Sequence, residues 1–126
     1  MQPVRDLLAA ARNSGRPSLS FELFPTKTPE GEAALFERTV PALKDGAAWD
    51  FCSVTYGAGG GTRDKTLDIV QRVQEQHGLT AVSHLTCVNS TREQIAGFLD
   101  EAASRNIRNV LALRGDPPGG GAFEPT

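Results

Sequence analysis

Four short apolar runs, separated by helical patterns, constrain the fold of this chain more than any other feature of its sequence. They read SLSFELF, DFCSVT, LTAVSHLTC and RNVLAL, and they cover residues 18–24, 50–55, 79–87 and 108–113. Their starts lie about thirty residues apart, which is the length of a strand, a crossover helix and the return to the next strand. This repetition predicts an α/β protein built on a parallel sheet.

The clearest helix signal lies in residues 90–103. Ser90 and Glu93 have the spacing of a capping box, in which two side chains satisfy free backbone N–H groups at a helix start. The apolar residues that follow recur at helical spacing, so they predict a helix that covers one face of the sheet. They are Ile95, Phe98, Leu99, Ala102 and Ala103.

Further helices are predicted ahead of and between the strands. A short amphipathic helix is expected within residues 1–16. A second helix follows Thr28 and Pro29, a cap and a first-turn proline, and Pro41 is expected to kink it or end it early. A third runs from about residue 64 to residue 77, and Gly78 is placed to end it.

Two architectures remain open for a parallel sheet of this period, a doubly wound sheet and an eight-unit barrel. A barrel of eight strand–helix units needs about 250 residues, and this chain of 126 residues holds close to half of that. Residues 114–126 are rich in proline and glycine, and they offer no helix to cover the fourth strand. We therefore expect the chain to be a fragment of a larger domain.

Charge and cysteine content argue against several classes of function. Thirteen Lys and Arg residues face fifteen Asp and Glu residues, so no electrostatic hold on nucleic acid or anionic lipid is expected. The amino-terminal segment lacks the apolar stretch of a signal peptide or membrane span. Cys52 and Cys87 lie in strand-like runs and lack metal-ligand spacing, so we expect buried, reduced thiols in a cytoplasmic protein, with no metal site.

Polar residues recur where the predicted strands end. In parallel α/β proteins the carboxyl ends of the strands form the functional side, and here they present Glu22, Thr55, His84 and Asp116 to one concave surface. Alone, Glu22 would be read as a solvated or ion-paired carboxylate, and His84 as a hydrogen-bonded core residue. Their shared position favours a functional site over four unrelated structural residues.

The segment GAGGGT at residues 57–62 follows the second strand and matches neither of two common phosphate-binding patterns. Thr62 occupies the third glycine position of the dinucleotide fingerprint, and no Gly-Lys-Ser/Thr follows for a P-loop. Glycines here allow the backbone to approach a flat ligand closely. Tyr56 and Ala58 beside them suit a ring system.

The blocks SFELFPTKT, SVTYGAGGGTRDKT, HLTC and LALRGDPP, in this order, closely resemble the amino-terminal half of methylenetetrahydrofolate reductases. The likeness covers residues 18–118, and it departs at Thr26, where the family usually has a second proline. It implies a (β/α)8 TIM barrel with FAD across its carboxyl end, of which residues 1–126 supply about the first four units. It also implies that NAD(P)H reduces the flavin, which then reduces 5,10-methylenetetrahydrofolate to 5-methyltetrahydrofolate.

The resemblance implies a role for each matched residue. Glu22 is the acid that protonates the folate so that its five-membered ring opens, and Asp116 is the second catalytic residue, near flavin and folate. Glu22, Thr55 and Asp116 are expected to contact substrate. The expected flavin contacts are Thr55, Tyr56, Ala58, His84, Arg114, Gly115 and Asp116.

A different class of function fits the same residues. In this alternative the chain is a noncatalytic half-barrel that serves binding or assembly, because four strand–helix units leave two sheet edges and one face uncovered. The resemblance to bacterial members and these open edges both imply a homo-oligomer. We expect the 126 residues alone to turn over no folate.

Overall fold

A computed structural model describes residues 1–56, 63–88 and 90–116 and contains one parallel sheet. Its strands follow one another in the order β1-β2-β3-β4, and each neighbouring pair is parallel. A doubly wound sheet reverses its strand order at a switch point, and the described strands show no such reversal. All four predicted strands are confirmed with slightly shorter bounds: β1 (Ser20–Leu23), β2 (Phe51–Val54), β3 (Ala81–Thr86) and β4 (Val110–Leu113).

The predicted helices are also present. Pro41 does not end its helix early, because the helix continues through it to Gly46. Proline lacks the N–H that would bond four residues back, and the irregularity this causes is a wider π turn over Leu35–Thr39, just before the proline. Gly78 ends its helix as predicted, with φ of +66°. The helices are α1 (Val4–Asn13), α2 (Pro29–Ala34), α3 (Val40–Gly46), α4 (Arg63–His77) and α5 (Arg92–Ser104).

The capping box of α5 exists, but it begins one residue later than predicted. Thr91 Oγ1 accepts from Gln94 N at 3.3 Å, and Gln94 Oε1 accepts from Thr91 N at 2.9 Å. The sequence contains the box pattern in two overlapping registers. Ser90 is instead used by the turn after β3, where its N–H donates to Cys87 O at 3.2 Å.

Only part of the predicted stripe of α5 packs on the sheet. Phe98 and Ala102 are buried and Ile95 is partly buried, but Leu99 is 42% exposed and Ala103 is exposed. The single sheet layer beneath α5 covers a narrower face of the helix than the sequence stripe predicts.

The main core lies between the helices and the outer face of the sheet. Alternation along β1 points Leu23 into this core, while Phe21 packs edge-on against Trp49. Cys52 is fully buried, and this burial raises the pKa of its thiol to about 12. Cys87 is only half-buried, so the expectation of two buried cysteines holds for Cys52 alone.

Helix α1 crosses the amino end of the sheet. Asn109, just before β4, accepts from Val4 N at 3.0 Å and donates to Gln2 O at 3.1 Å. At the other side, Arg16 forms a bidentate pair with Asp50 at 2.9 and 2.6 Å. The start of α1 is thus tied to the start of β4, and the segment after α1 to the start of β2.

Neighbouring strands are offset from one another along the sheet. The first residue of β1 pairs with the first residue of β2. The first residue of β3 pairs with Cys52, which is the second residue of β2. The first residue of β4 pairs with Ser83, which is the third residue of β3. The total stagger is three residues over three steps. An eight-stranded barrel with a shear of eight needs about one residue per step, so the register suits the predicted barrel, whose closure stays a prediction.

Candidate functional site

Three polar side chains meet on the concave face of the sheet. Glu22 on β1 is paired in register with Ser53 on β2, and His84 follows on β3. Strand alternation puts all three on the face opposite the main core. They line a cavity of about 610 Å³ together with Phe51, Val82 and, at its amino end, residues of α1.

Glu22 and His84 approach each other across the intervening strand. The distance from His84 Nε2 to Glu22 Oε2 is 3.5 Å, and Ser53 Oγ donates to the same Glu22 oxygen at 3.3 Å. Strands β1 and β3 lie about 10 Å apart, so the two long side chains can meet only because the residue between them is small. The Glu22 side chain is 44% exposed and that of His84 10%.

His84 Nε2 is buried, and within the described ranges it has no partner at hydrogen-bond geometry. The contact with Glu22 counts as an ion pair only when the imidazole is protonated. A buried polar atom without a full hydrogen bond is costly, and such groups often mark sites that bind a ligand or exchange a proton. The Glu22–His84 pair is thus the chemically most informative contact on this face.

Thr55 lies on the same face, one pleat nearer the carboxyl end than Ser53. Its backbone N–H donates to Leu23 O at 2.9 Å, and its carbonyl accepts from Thr66 Oγ1 at 3.1 Å. Both backbone groups are therefore held, by β1 and by α4, which fixes the start of the loop that follows β2.

Tyr56 points to the other side of the sheet. Its ring contacts Phe98 of α5 edge-on, with centroids 5.9 Å apart, and it packs against the main core. The ring is therefore directed away from the concave face that carries Glu22. Ala58 and the glycines at 57 and 59–61 lie outside the described residues.

Residues 114–116 lie beside the carboxyl end of β3. The β3–β4 ladder continues past the strands, because Val88 N donates to Arg114 O at 3.0 Å. Gly115 has φ of +87°, and a Cβ there would lie 2.3 Å from Thr86 Cγ2. A glycine is thus required for the chain to pass closely over β3.

Asp116 is exposed, and in the described part of the chain no hydrogen bond or ion pair joins it to Glu22 or His84. The predicted set of four strand-end residues is therefore brought together in part. Glu22 and His84 are in contact, Thr55 shares their face, and Asp116 follows the neighbouring strand.

Sequence reasoning missed Ser53, which touches the Glu22 carboxylate directly. Its signal was present in the alternation of β2, where Ser53 shares a face with Thr55 two residues later. It was overlooked because a serine within an apolar run has no distinctive chemistry until its cross-strand neighbours are known.

The described residues also bear on metal binding and membrane crossing. Among residues 1–56, 63–88 and 90–116, no three His, Cys, Asp or Glu side chains converge as metal ligands would. None of the helices in these ranges combines the length and apolar character needed to cross a bilayer.

Comparison with known proteins gives consistent matches. The family model for methylenetetrahydrofolate reductase matches residues 7–126. A maize (Zea mays) protein named methylenetetrahydrofolate reductase (NADH) 1 is 46% identical over 120 residues, covering 95% of this chain and 20% of its own length. An Escherichia coli protein named 5,10-methylenetetrahydrofolate reductase is 38% identical over 125 residues, covering 95% of this chain and 41% of its own. The chain therefore spans about a fifth of the plant relative and two fifths of the bacterial one.

Proposed function

The chain belongs to the methylenetetrahydrofolate reductase family, and from this premise we propose that its concave face forms the first half of a flavin-dependent active site. The site would reduce 5,10-methylenetetrahydrofolate to 5-methyltetrahydrofolate with NAD(P)H as the electron donor. The barrel would be completed by strands that the described residues do not include.

The observation that carries the proposal is the Glu22 carboxyl group, held on the concave face 3.5 Å from His84 and 3.3 Å from Ser53. Opening the five-membered ring of the folate requires a proton donor beside the departing nitrogen. A positioned carboxyl group can supply this proton, and general acid catalysis of this kind contributes roughly 10²–10⁴-fold in rate. Because Glu22 is partly exposed, a substrate can reach it.

The residues present fit a flavin. The buried Nε2 of His84, which has no full hydrogen bond among the described residues, and the close passage of Gly115 over β3 suit a flat cofactor at the carboxyl end of the sheet. The cavity of about 610 Å³ extends from Glu22 and His84 toward the amino end, where Arg5 and Arg108 line it, so it adjoins the proposed flavin contacts and does not contain them. When bound, FAD would accept a hydride from the nicotinamide and pass it to the folate. We propose that Thr55, His84, Arg114, Gly115, Asp116 and, outside the described residues, Ala58 hold it; Tyr56 would contribute through its backbone, since its ring packs on Phe98.

Asp116 has an electrostatic role in this proposal. Its exposed carboxylate lies in the segment beside the end of β3, which we place near the reacting ring. A negative charge there would favour a cation developing on the one-carbon unit of the substrate, because such charges act strongly in a site shielded from water.

A second candidate function follows from the exposed apolar side chains. Phe24 is 67% exposed, Leu111 44% and Leu113 37%, and β1 and β4 have one open edge each within the described sheet. Such surfaces favour association, so the isolated chain could act as a noncatalytic half-barrel that binds a partner or a second copy. We expect it to self-associate and to turn over no folate by itself.

The test is the visible absorbance of two purified proteins, the chain of 126 residues and the product of the reading frame that contains it. The proposed reductase function would be supported if the longer product showed flavin absorbance that NADH or NADPH bleaches, and if it formed 5-methyltetrahydrofolate. A longer product without flavin, and without folate reduction when FAD is added, would contradict it. The maize relative is named for NADH, so NADH is the first donor to test.

A further inference from the structure

Two neighbours lie close to the same oxygen of the candidate acid. Ser53 Oγ lies 3.3 Å from Glu22 Oε2, and His84 Nε2 lies 3.5 Å from that same atom. In the described part of the chain, neither a hydrogen bond nor an ion pair engages the other oxygen, Oε1. Oε2 of the carboxyl group is thus contacted by protein side chains, whereas Oε1 is left for a ligand.

The size of Ser53 decides whether this arrangement can form. Glu22 and Ser53 are direct cross-strand partners, and His84 reaches over from the next strand. A branched side chain at 53 would stand between the two and push them apart, since facing side chains of neighbouring strands are only about 5 Å apart. A serine both leaves the space and supplies the donor.

Other charges facing this cavity come from the amino end of the sheet. Arg5 on α1 and Arg108, just before β4, line it, and the described residues show no ion pair between either guanidinium and Glu22. His84 is therefore the positively chargeable group that contacts the carboxyl. Its buried Nε2 lies 3.5 Å from Glu22 Oε2.

We propose that Ser53 and His84 are positioning residues for Glu22, which hold Oε2 and so direct Oε1 toward the reacting ligand. This inference rests on the proposed function, because it assigns Glu22 the role of proton donor. Neutral His84 donates its Nε2–H to Oε2, and the acidic proton of Glu22 is carried on Oε1. Glu22 takes this proton from solvent water and delivers it from Oε1 to the departing nitrogen, which leaves the carboxylate.

The kinetic test uses the full reading-frame product and separates the two halves of the reaction. Ser53→Ala should slow folate reduction roughly tenfold, the loss expected for one hydrogen bond to a charged group, with the KM for folate unchanged. Flavin reduction by NADH should not change, since it needs no acid at this position. Ser53→Thr, which keeps the hydroxyl but adds a methyl branch between Glu22 and His84, should slow folate reduction at least as much as Ser53→Ala.

The matched control is Ser20→Ala. Ser20 shares the concave face at the amino end of β1, is exposed, and within the described ranges makes no side-chain hydrogen bond to Glu22. It should leave both half-reactions as in the unsubstituted enzyme. Equal rates in Ser53→Ala and Ser20→Ala would overturn the inference.

A second readout needs no activity. Nitrogen-15 NMR of the imidazole in the purified chain reports which ring nitrogen of His84 carries the proton. We expect Nε2–H in the unsubstituted chain, a clear shift of its signal in Glu22→Gln, a smaller one in Ser53→Ala and none in Ser20→Ala. An imidazole signal that does not respond to Glu22→Gln would overturn the positioning role.

The two proposals fail in different ways. If Glu22→Gln abolishes folate reduction while Ser53→Ala is fully active, the reductase stands and the positioning role is wrong. If the reading-frame product reduces no folate but the NMR shifts appear as expected, the pair exists and the proposed function is wrong.

Discussion

Gly115→Ala should destabilise the fold by an amount that the structure allows to be separated into two parts. The backbone at Gly115 has φ of +87°, which costs an L-residue roughly 1–2 kcal/mol. The added Cβ would also lie 2.3 Å from Thr86 Cγ2 and 2.6 Å from Val88 Cγ1. Overpacking of this kind costs typically about 1–3 kcal/mol, so we expect a total loss of roughly 2–5 kcal/mol.

Two other glycines provide matched controls. Gly78 also has a positive φ, +66°, but a Cβ there meets nothing within 4 Å, so Gly78→Ala should cost only the backbone part, roughly 1–2 kcal/mol. Gly97 lies within α5 with open space around it, so Gly97→Ala should stabilise the chain by about 0.5–1 kcal/mol.

The assay is equilibrium urea unfolding followed by circular dichroism, which gives the free energy of unfolding of each variant. The expected order of stability is Gly97→Ala above the unsubstituted chain, then Gly78→Ala, then Gly115→Ala. If Gly115→Ala proved as stable as Gly78→Ala, residues 114–116 would not pass closely over β3, and the described geometry of the site at the end of β4 would be refuted.

Three further predictions concern other parts of the chain. Asn109→Ala should cost about 1–3 kcal/mol of unfolding free energy and speed hydrogen exchange in α1, because Asn109 bonds both Gln2 and Val4; unchanged exchange would argue against this anchor. The hydrogen bonds from Arg16 hold the pKa of Asp50 well below its usual range, so this pair should stabilise the fold fully above about pH 4 and progressively less as the pH falls further. Urea unfolding of the unsubstituted chain and of Asp50→Asn at several pH values tests this. A difference in unfolding free energy between the two that grew toward acid pH would contradict it. Burial raises the pKa of the Cys52 thiol to about 12, so a thiol reagent should label the native chain at Cys87 alone and reach Cys52 only in denaturant; mass spectrometry of the labelled chain decides it.

The strands and their consecutive arrangement could be predicted because they depend on local patterns. Alternation in SFEL separates Glu22 from Phe21 and Leu23, and the structure places them on opposite faces as expected. A period of about thirty residues predicts parallel strands wherever a crossover helix fits. These features need no knowledge of which distant side chains meet.

The features that the sequence did not predict depend on contacts between residues that are not visible in the linear sequence. The start of α5 at Thr91 instead of Ser90 depends on which residue the preceding turn already uses. The packing of Tyr56 on Phe98 follows from strand alternation that continues past the end of β2 and puts Tyr56 one step out of phase with Thr55. The role of Ser53 depends on cross-strand register and side-chain size together, and a linear sequence shows neither.

The central claim is that Glu22 on the concave face is the acid that serves folate reduction. The most direct test is a comparison of Glu22→Gln with Glu75→Gln in the full reading-frame product, because Glu75 is an exposed residue of α4 whose carboxylate bonds only Gln71 among the described residues. Rapid-mixing absorbance measures flavin reduction by NADH and flavin reoxidation by 5,10-methylenetetrahydrofolate separately. We expect Glu22→Gln to slow reoxidation by roughly 10²–10⁴-fold while leaving reduction by NADH intact, and Glu75→Gln to change neither. Reoxidation by folate at the same rate in both variants would contradict the account.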